Sequence, residues 1–367
     1  ETKVSIKKKL FFTVRKIGRL FYHGHIWLIS DRKSCAGDNG EAMFLYLKDK
    51  KVKTVFAISK KAKDYERLKK IGGVVAYDSK LYKLLLCIAD VHISSQLIHM
   101  ESHEETPQVF LQHGISNSNI SKMLNPASHK NFYVITTTKK EYEEFCSSDY
   151  LIDNSHIWLT GLPRMDYYYN ENKGNIVISF TWRKELQGLS DEKFKNTGYY
   201  KRYMEIISDK SLKEYLHKKG YSLGILLHPE MKAYLKVMDI PEGVQIINEP
   251  YRKMFAHCSM LITDYSSIAS DVAYLKKPVI YYQFDESTFY NESRFYTKGA
   301  FDYTKDGYGQ VVYTYDKLKE AIINSVNNNC QIEEKYLKRA EDNFVFFDGN
   351  NSRRVFEKIV RIKNIKN

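Results

Sequence analysis

Cysteine is scarce and scattered in this chain: Cys35, Cys87, Cys146, Cys258 and Cys330 form no CxxC pair and are odd in number. That argues against a disulfide framework and fits reduced thiols in a cytosolic compartment. No HExxH spacing offers a zinc site, and no DxD motif stands where a metal-bound diphosphate would need it. No apolar run approaches the ~18–20 residues of a transmembrane helix, and no signal-peptide pattern opens the sequence. Self-similarity at a period of 20–50 residues is also absent, which excludes solenoids and propellers.

What is present is a charged, aromatic chain of globular composition. Its 367 residues are 43% hydrophobic, enough for about two domains. Fifty-seven Lys and Arg against 44 Asp and Glu leave a formal charge of +13, which implies an anionic partner: nucleic acid, an acidic membrane surface or a phosphate-rich substrate. Residues 3–21 place Leu10, Val14, Ile17 and Phe21 on one helical face, with Lys8, Lys9, Arg15, Lys16 and Arg19 largely elsewhere. Such a basic amphipathic helix either docks on an anionic membrane or packs as an ordinary first helix.

From 25 to 166 short apolar runs alternate with helical stretches. Strands are expected at 26–30, 54–58, 74–77, 91–94, 109–112, 132–136 and 157–159, and helices at 40–50, 61–70 and 81–89. A polar, aromatic stretch at 167–175 reads as a linker. A second series then places strands at 176–180, 222–227, 244–247, 260–262 and 278–282, with a helix at 200–218. Residues 1–24 and 346–367 form terminal helical segments beside the domains 25–166 and 176–345. Alternation of this kind predicts an α/β protein with two parallel sheets covered by helices, facing each other across a central cleft.

The organising stretch is 260–283, MLITDYSSIASDVAYLKKPVIYYQ, a strand, a turn, a helix and a strand. Ligands of such units sit beyond the carboxyl ends of the strands, where a helix start offers N–H groups to phosphate. Ser266 and Ser267 stand at that start, while Asp264 or a serine could equally cap the helix. His113 follows the strand 109–112 and precedes Gly114, so an imidazole with little steric cover ends a strand, a suitable place for a general base. His228 repeats the arrangement in the second half, where Pro229 stiffens the turn. Arg164 and Asp166, in TGLPRMD, point toward the linker or pair with each other, and Arg183 ends the second domain's first strand. Both arginines are candidate phosphate donors.

In one order the chain carries DNGEAMFLYLK, FLQHG, TGLPRMD, FTWR, LLHPEM, TDYSSIASDVAYLKKPVIYYQFDE, FDYTKDGYG and DGNNSRRV. Together, over roughly 37–360, these resemble the CDP-glycerol glycerophosphotransferase family, which builds teichoic acids and related phosphate-containing capsules on a GT-B-like pair of Rossmann-like domains. The resemblance implies transfer of glycerol phosphate from CDP-glycerol to a hydroxyl of a lipid-linked acceptor, with release of CMP. It makes His113 the base and His228 a second essential imidazole near the donor phosphates. It further implies that Ser266 and Ser267 bind the diphosphate, that Asp264 and Asp271 form or support the donor pocket, and that Arg183 contacts phosphate. Gly114, Arg164 and Asp166 fall on the acceptor side of the cleft.

The expected partners are therefore CDP-glycerol, a polyprenyl-linked saccharide or poly(glycerol phosphate) acceptor and an anionic membrane surface, with no nucleic acid. The expected place is the cytoplasmic face of the bacterial cell membrane, and no resident cofactor or metal is expected. Primases, polymerases and ribitol phosphate relatives share the motif set, so CDP-ribitol or another nucleotide-activated donor is an alternative. From a different class, a non-catalytic anionic-polymer-binding protein would also use the charge and the 29 tyrosines.

Overall fold

The computed structural model describes residues 2–22, 24–98, 105–292 and 296–363. The chain forms two units, one of Glu1–Ile115, Ser121–Tyr167 and Val345–Asn367, the other of Ser116–Ile120 and Tyr168–Phe344. The divide at 167/168 falls at the start of the expected linker. Three assignments differ from the sequence reading, the first being that the N-terminal segment belongs to the first unit and does not stand beside it. The 346–367 segment is part of the first unit rather than an appendage, and the short stretch 116–120 leaves the first unit for the second.

The first unit holds seven strands: β1 Ile26–Ser30, β2 Lys53–Ile58, β3 Gly73–Ala76, β4 Val91–Ser94, β5 Gln108–Phe110, β6 Phe132–Thr136 and β7 Ile157–Leu159. They lie in the order β3-β2-β1-β4-β5-β6-β7, and every pairing is parallel. All five residues of β1 (IWLIS) and of β6 (FYVIT) are buried, as expected of strands covered on both faces. Strand order reverses between β1 and β4, which makes their carboxyl ends the switch point where α/β sheets bind ligands.

The second unit repeats the plan with β8 Asn175–Ser179, β9 Ser222–Ile225, β10 Val244–Ile246, β11 Cys258–Thr263, β12 Val279–Tyr282 and β13 Gly309–Val312. Their order is β10-β9-β8-β11-β12-β13, again all parallel. The switch point here lies between β8 and β11. Strand β13, GQVV, was not foreseen, because four residues that include a glycine and an exposed glutamine carry little periodic signal. Gly309 is required there, since a Cβ would meet the Val279 carbonyl oxygen at 1.7 Å. The helix expected at 200–218 is two helices, Gly198–Ser208 and Lys210–Lys218. Asp209 breaks them apart and accepts the Leu212 N–H as the cap of the second.

The first helix, Thr2–Phe21, packs on the helix Lys80–Ile88 of its own unit. Phe11 is buried, and Arg15 donates to the carbonyls of Cys87 and Ala89 and to Thr106 Oγ1. Arg19 pairs with Asp90 at 2.5 Å. Two of the cations expected to face lipid are thus turned inward, while Leu10, Ile17, Leu20 and Phe21 stay 51–85% exposed. Lys8 lies outside the residues whose side chains are described. The last helix, Asn351–Lys363, seats Phe356 against Trp27, with ring centroids 5.7 Å apart.

Candidate active site

In the second unit the loops that follow β8 and β11 are joined by one buried ion cluster. Asp264, with no exposed surface, accepts from Thr181 N and Oγ1, each at 2.7 Å, and from Tyr265 N at 2.6 Å. Its other oxygen takes Arg183 Nη2 at 2.8 Å. Arg183 also donates through Nε and Nη2 to Asp285 Oδ2 (3.1 and 2.9 Å) and through Nη1 to the Thr181 carbonyl (2.7 Å). Its guanidinium lies 4.5 Å from the Phe289 ring centroid and 5.6 Å from that of Tyr265. Burial opposes the charge, but Asp264 and Asp285 outweigh it, so the Arg183 pKa is raised. Burial pushes the Asp285 carboxyl up as well, only partly offset by Arg183.

Arg183 is therefore placed as the tie between three loops and not as a group presented to a phosphate: its donors already face carboxylates and a carbonyl. Asp264 likewise organises the loop and does not cap the helix Ile268–Tyr274. Ser267 occupies the cap position without a side-chain cap bond, which leaves half-buried hydroxyls at 266 and 267 at the carboxyl edge of the sheet. Asp271, buried in that helix, accepts from Tyr168 Oη. Beside these, Trp182 stacks on His228 with centroids 5.9 Å apart and rings 13° from parallel. His228 is half-buried beyond β9. The side chains of Pro229 and Glu230, the first expected to fix the turn, lie outside the described residues.

Among the described residues, several buried polar atoms at this edge, Trp182 Nε1, Tyr265 Oη and Asp285 Oδ1, find no hydrogen-bond partner. Groups so placed are suited to a polar ligand. A separate cavity of about 510 Å³, lined in part by Lys173, Asn175, Ser222 and His257, sits at the amino ends of β8 and β9, away from all of these residues.

In the first unit the loops after β1 and β5 meet the start of the helix Asn39–Tyr46. Asp31 directly follows β1 and is buried. Its Oδ2 accepts the N–H groups of Asp38 and Glu41, each at 3.1 Å, and its Oδ1 that of Gly40 at 2.7 Å. Burial first, and then the charge of Asp38, raise its carboxyl to about 7. Asn39 spans from that loop to β5's end, donating to the carbonyls of Leu111 and Gln112 and accepting the Arg164 N–H. Gln112 has a φ of 56°, a left-handed conformation rare for a side-chain-bearing residue. Its amide is held by Ile135 O and Glu141 Oε1. That turn delivers His113 to the surface.

His113 keeps an exposed side chain, yet lost hydration at the crowded ring is the largest effect on it and lowers its pKa. Asp38 opposes that shift, while Arg32 and Arg164 add to it. Gly114 follows, half-buried. Arg164 Nη1 donates to Asp38 Oδ1 at 2.7 Å and to the His113 carbonyl at 2.8 Å. Asp166 does not pair with it. Its two oxygens accept the N–H groups of Asn351 and Ser352, so it caps the last helix and its acceptor-side role has no free carboxylate to act through.

Among the sequence candidates, Arg183, Asp264, Ser266 and Ser267 come together at one switch point, with His228 one strand away. His113 and Gly114, after β5 and one strand from the other switch point, meet Arg164 beside the loop that follows β1. The sequence reading gave no role to Asp31, Asp38, Asn39, Thr181, Trp182, Tyr265 or Asp285. A signal existed for Asp31 and Asp285, each an acid placed just after a strand of buried residues. Among the described residues no cluster of three His, Cys, Asp or Glu could hold a metal ion.

Two Rossmann-like units, each with polar loops at its switch point, define a GT-B-like α/β protein. A solved structure of the wall teichoic acid polymerase TagF superposes with a TM-score of 0.73, covering 99% of this chain and 94% of that one at 16% identity. The chain belongs to the CDP-glycerol:poly(glycerophosphate) glycerophosphotransferase family, whose model matches residues 10–361. The minor teichoic acid biosynthesis protein GgaB of Bacillus subtilis is 32% identical over 99% of this chain and 43% of its own length. The teichoic acid poly(ribitol-phosphate) polymerase of Bacillus spizizenii is 25% identical over 64% of this chain and 38% of its own. The chain thus spans less than half the length of either relative.

Proposed function

We propose that this chain transfers glycerol phosphate from CDP-glycerol to a hydroxyl of a lipid-linked teichoic-acid-like or capsular acceptor, releasing CMP. The observation that carries this reading is the gathering of family motifs at the two switch points: FLQHG and DNGEAMFLYLK in one unit, FTWR and TDYSSIASD in the other. His113, whose pKa is lowered chiefly by lost hydration, takes the proton of the acceptor hydroxyl. The freed oxygen forms a bond to the phosphorus of glycerol phosphate as the bond from that phosphorus to CMP breaks. Ser266, Ser267 and His228 hold the diphosphate, and Arg183 with Asp264 and Asp285 fixes the loops that carry them.

Such a transfer depends on in-line positioning and on donors aimed at nonbridging oxygens. We infer that no resident metal is required, so activity should survive chelation. The acceptor is placed at the cytoplasmic face of the membrane, supported by the exposed Leu10, Ile17, Leu20 and Phe21 beside the exposed Lys9 and Lys16.

A second donor, CDP-ribitol, has specific support in the ribitol-phosphate polymerase relative. The test is CMP release from CDP-glycerol and CDP-ribitol in parallel, with a glycerol-phosphate-primed lipid acceptor and product length read by mass spectrometry. Acceptor-dependent CMP from CDP-glycerol supports the reading, one added unit indicating a primase and many a polymerase. CMP from CDP-ribitol alone replaces the donor. No CMP with either donor favours the binding-protein alternative.

A further inference from the structure

The base assigned to His113 leaves a carboxylate beside it without a role. Asp38 lies in the loop between β1 and the helix Asn39–Tyr46, and three features fix it. Its main-chain N–H donates to Asp31, whose two oxygens also take the N–H groups of Gly40 and Glu41. Its Oδ1 accepts the Asn39 N–H at 2.8 Å and Arg164 Nη1 at 2.7 Å. That same Nη1 donates to the carbonyl oxygen of His113 at 2.8 Å. A single guanidinium nitrogen therefore joins the carboxylate to the main chain of the residue that carries the imidazole.

We propose that Asp38, held by Arg164 and the Asp31 turn, is the positioning residue that sets the proton affinity of His113 and stabilises the imidazolium formed when it takes the acceptor's proton. The inference rests on the reading of His113 as base. Its logic is electrostatic. Abstraction of a proton leaves a cation where a neutral ring stood, and Asp38 is the charge that favours it, beside a main-chain hydrogen bond with Ser95, while Arg32 and Arg164 oppose it. Asp31, the other acid of the cluster, has both oxygens on main-chain N–H groups. Arg164 has two opposed effects: it orients Asp38 and the His113 main chain, and its own charge adds to the lost hydration that disfavours the protonated ring. A base needs both, a neutral resting state and a stabilised protonated state.

The decisive measurement is the pH dependence of kcat/KM for acceptor-dependent CMP release from CDP-glycerol, in the intact chain and in D38N, R164Q, H113A and the double variant D38N/H113A. Asparagine caps helices as well as aspartate does, so D38N keeps the helix start. D38N removes the one favourable charge and should move the acid limb to lower pH, with kcat reduced about 10- to 100-fold, a part of what a general base supplies. The CDP-glycerol dissociation constant should stay unchanged. R164Q removes an opposing charge and should move the limb to higher pH. A merely structural role would not shift the limb in opposite directions.

D38N should also add little to the loss already caused by H113A, because it acts through that ring. Restoration of the limb and of most of the rate by D38E would complete the case. Limbs that do not move, or that move together, would overturn the inference, as would fully additive losses in the double variant. H113A at near wild-type rate would instead overturn the base reading itself, and this proposal with it.

Discussion

Arg183 shows what a buried cation does when carboxylates surround it. Asp264 has no exposed surface, so removing the guanidinium leaves an uncompensated charge in the interior, a loss of about 3–5 kcal/mol. R183Q should therefore lower the unfolding midpoint in chemical denaturation and weaken CDP-glycerol binding together, since Thr181, Asp264 and Asp285 lose their common tie. Weakened binding with unchanged stability would instead put Arg183 in direct contact with the donor. At His113 the sign of the pKa shift fixes a pH expectation. A base works when neutral, and a lowered pKa keeps it neutral to lower pH. The acid limb of kcat/KM should therefore lie below ~6.5, the ordinary value for histidine; a limb above it would contradict the assignment.

Helices and strands were legible wherever their periodicity was strong. The run 260–283 gave β11 and β12 within two residues at each boundary and the helix Ile268–Tyr274 between them, because a buried strand followed by a turn and a 3.6-residue pattern has few alternatives. Strand β13 carries little periodic signal and is fixed by pairing with the distant Val279 to Tyr282, whereas the break at Asp209 rests on a local cap of Leu212 that the distant Lys319 and Tyr315 reinforce. The TGLPRMD turn belongs to this scale too. Gly161 has a φ of 79°, and a Cβ there would meet Asn351 Oδ1 at 2.1 Å, while Asp166 caps the helix that begins with Asn351. D166A should cost about 0.5–2 kcal/mol as the loss of a cap. G161A should cost more, because strain and a clash coincide. Equal unfolding midpoints for G161A and wild type would show that the turn relaxes.

For the whole molecule, the first helix both packs and exposes an apolar face. Deleting residues 1–21 would strip Phe11 and Arg15 from the first unit, so membrane binding is better tested by point changes on the exposed face. Replacing Leu10, Ile17, Leu20 and Phe21 by serine should reduce binding to anionic vesicles by more than tenfold and leave the unfolding midpoint nearly unchanged. Retained vesicle binding would assign membrane association to another surface. Among the described residues no helix is long and apolar enough to cross a membrane.

By itself the sequence determined the α/β class, the two alternating series, the divide near 167 and the strand-end placement of His113, His228 and the Asp264–Ser267 turn. These follow from local periodicity and from turn residues that act over a few positions. Only the tertiary structure decided what the polar side chains face. Arg183 meets Asp264 across 81 residues, Arg164 meets Asp38 across 126, and Asp166 reaches the helix start at Ser352 across 186. The partner of a buried charge is chosen by chain topology, because β1, β4 and β5 in one sheet and β8, β11 and β12 in the other bring their carboxyl ends together regardless of sequence separation.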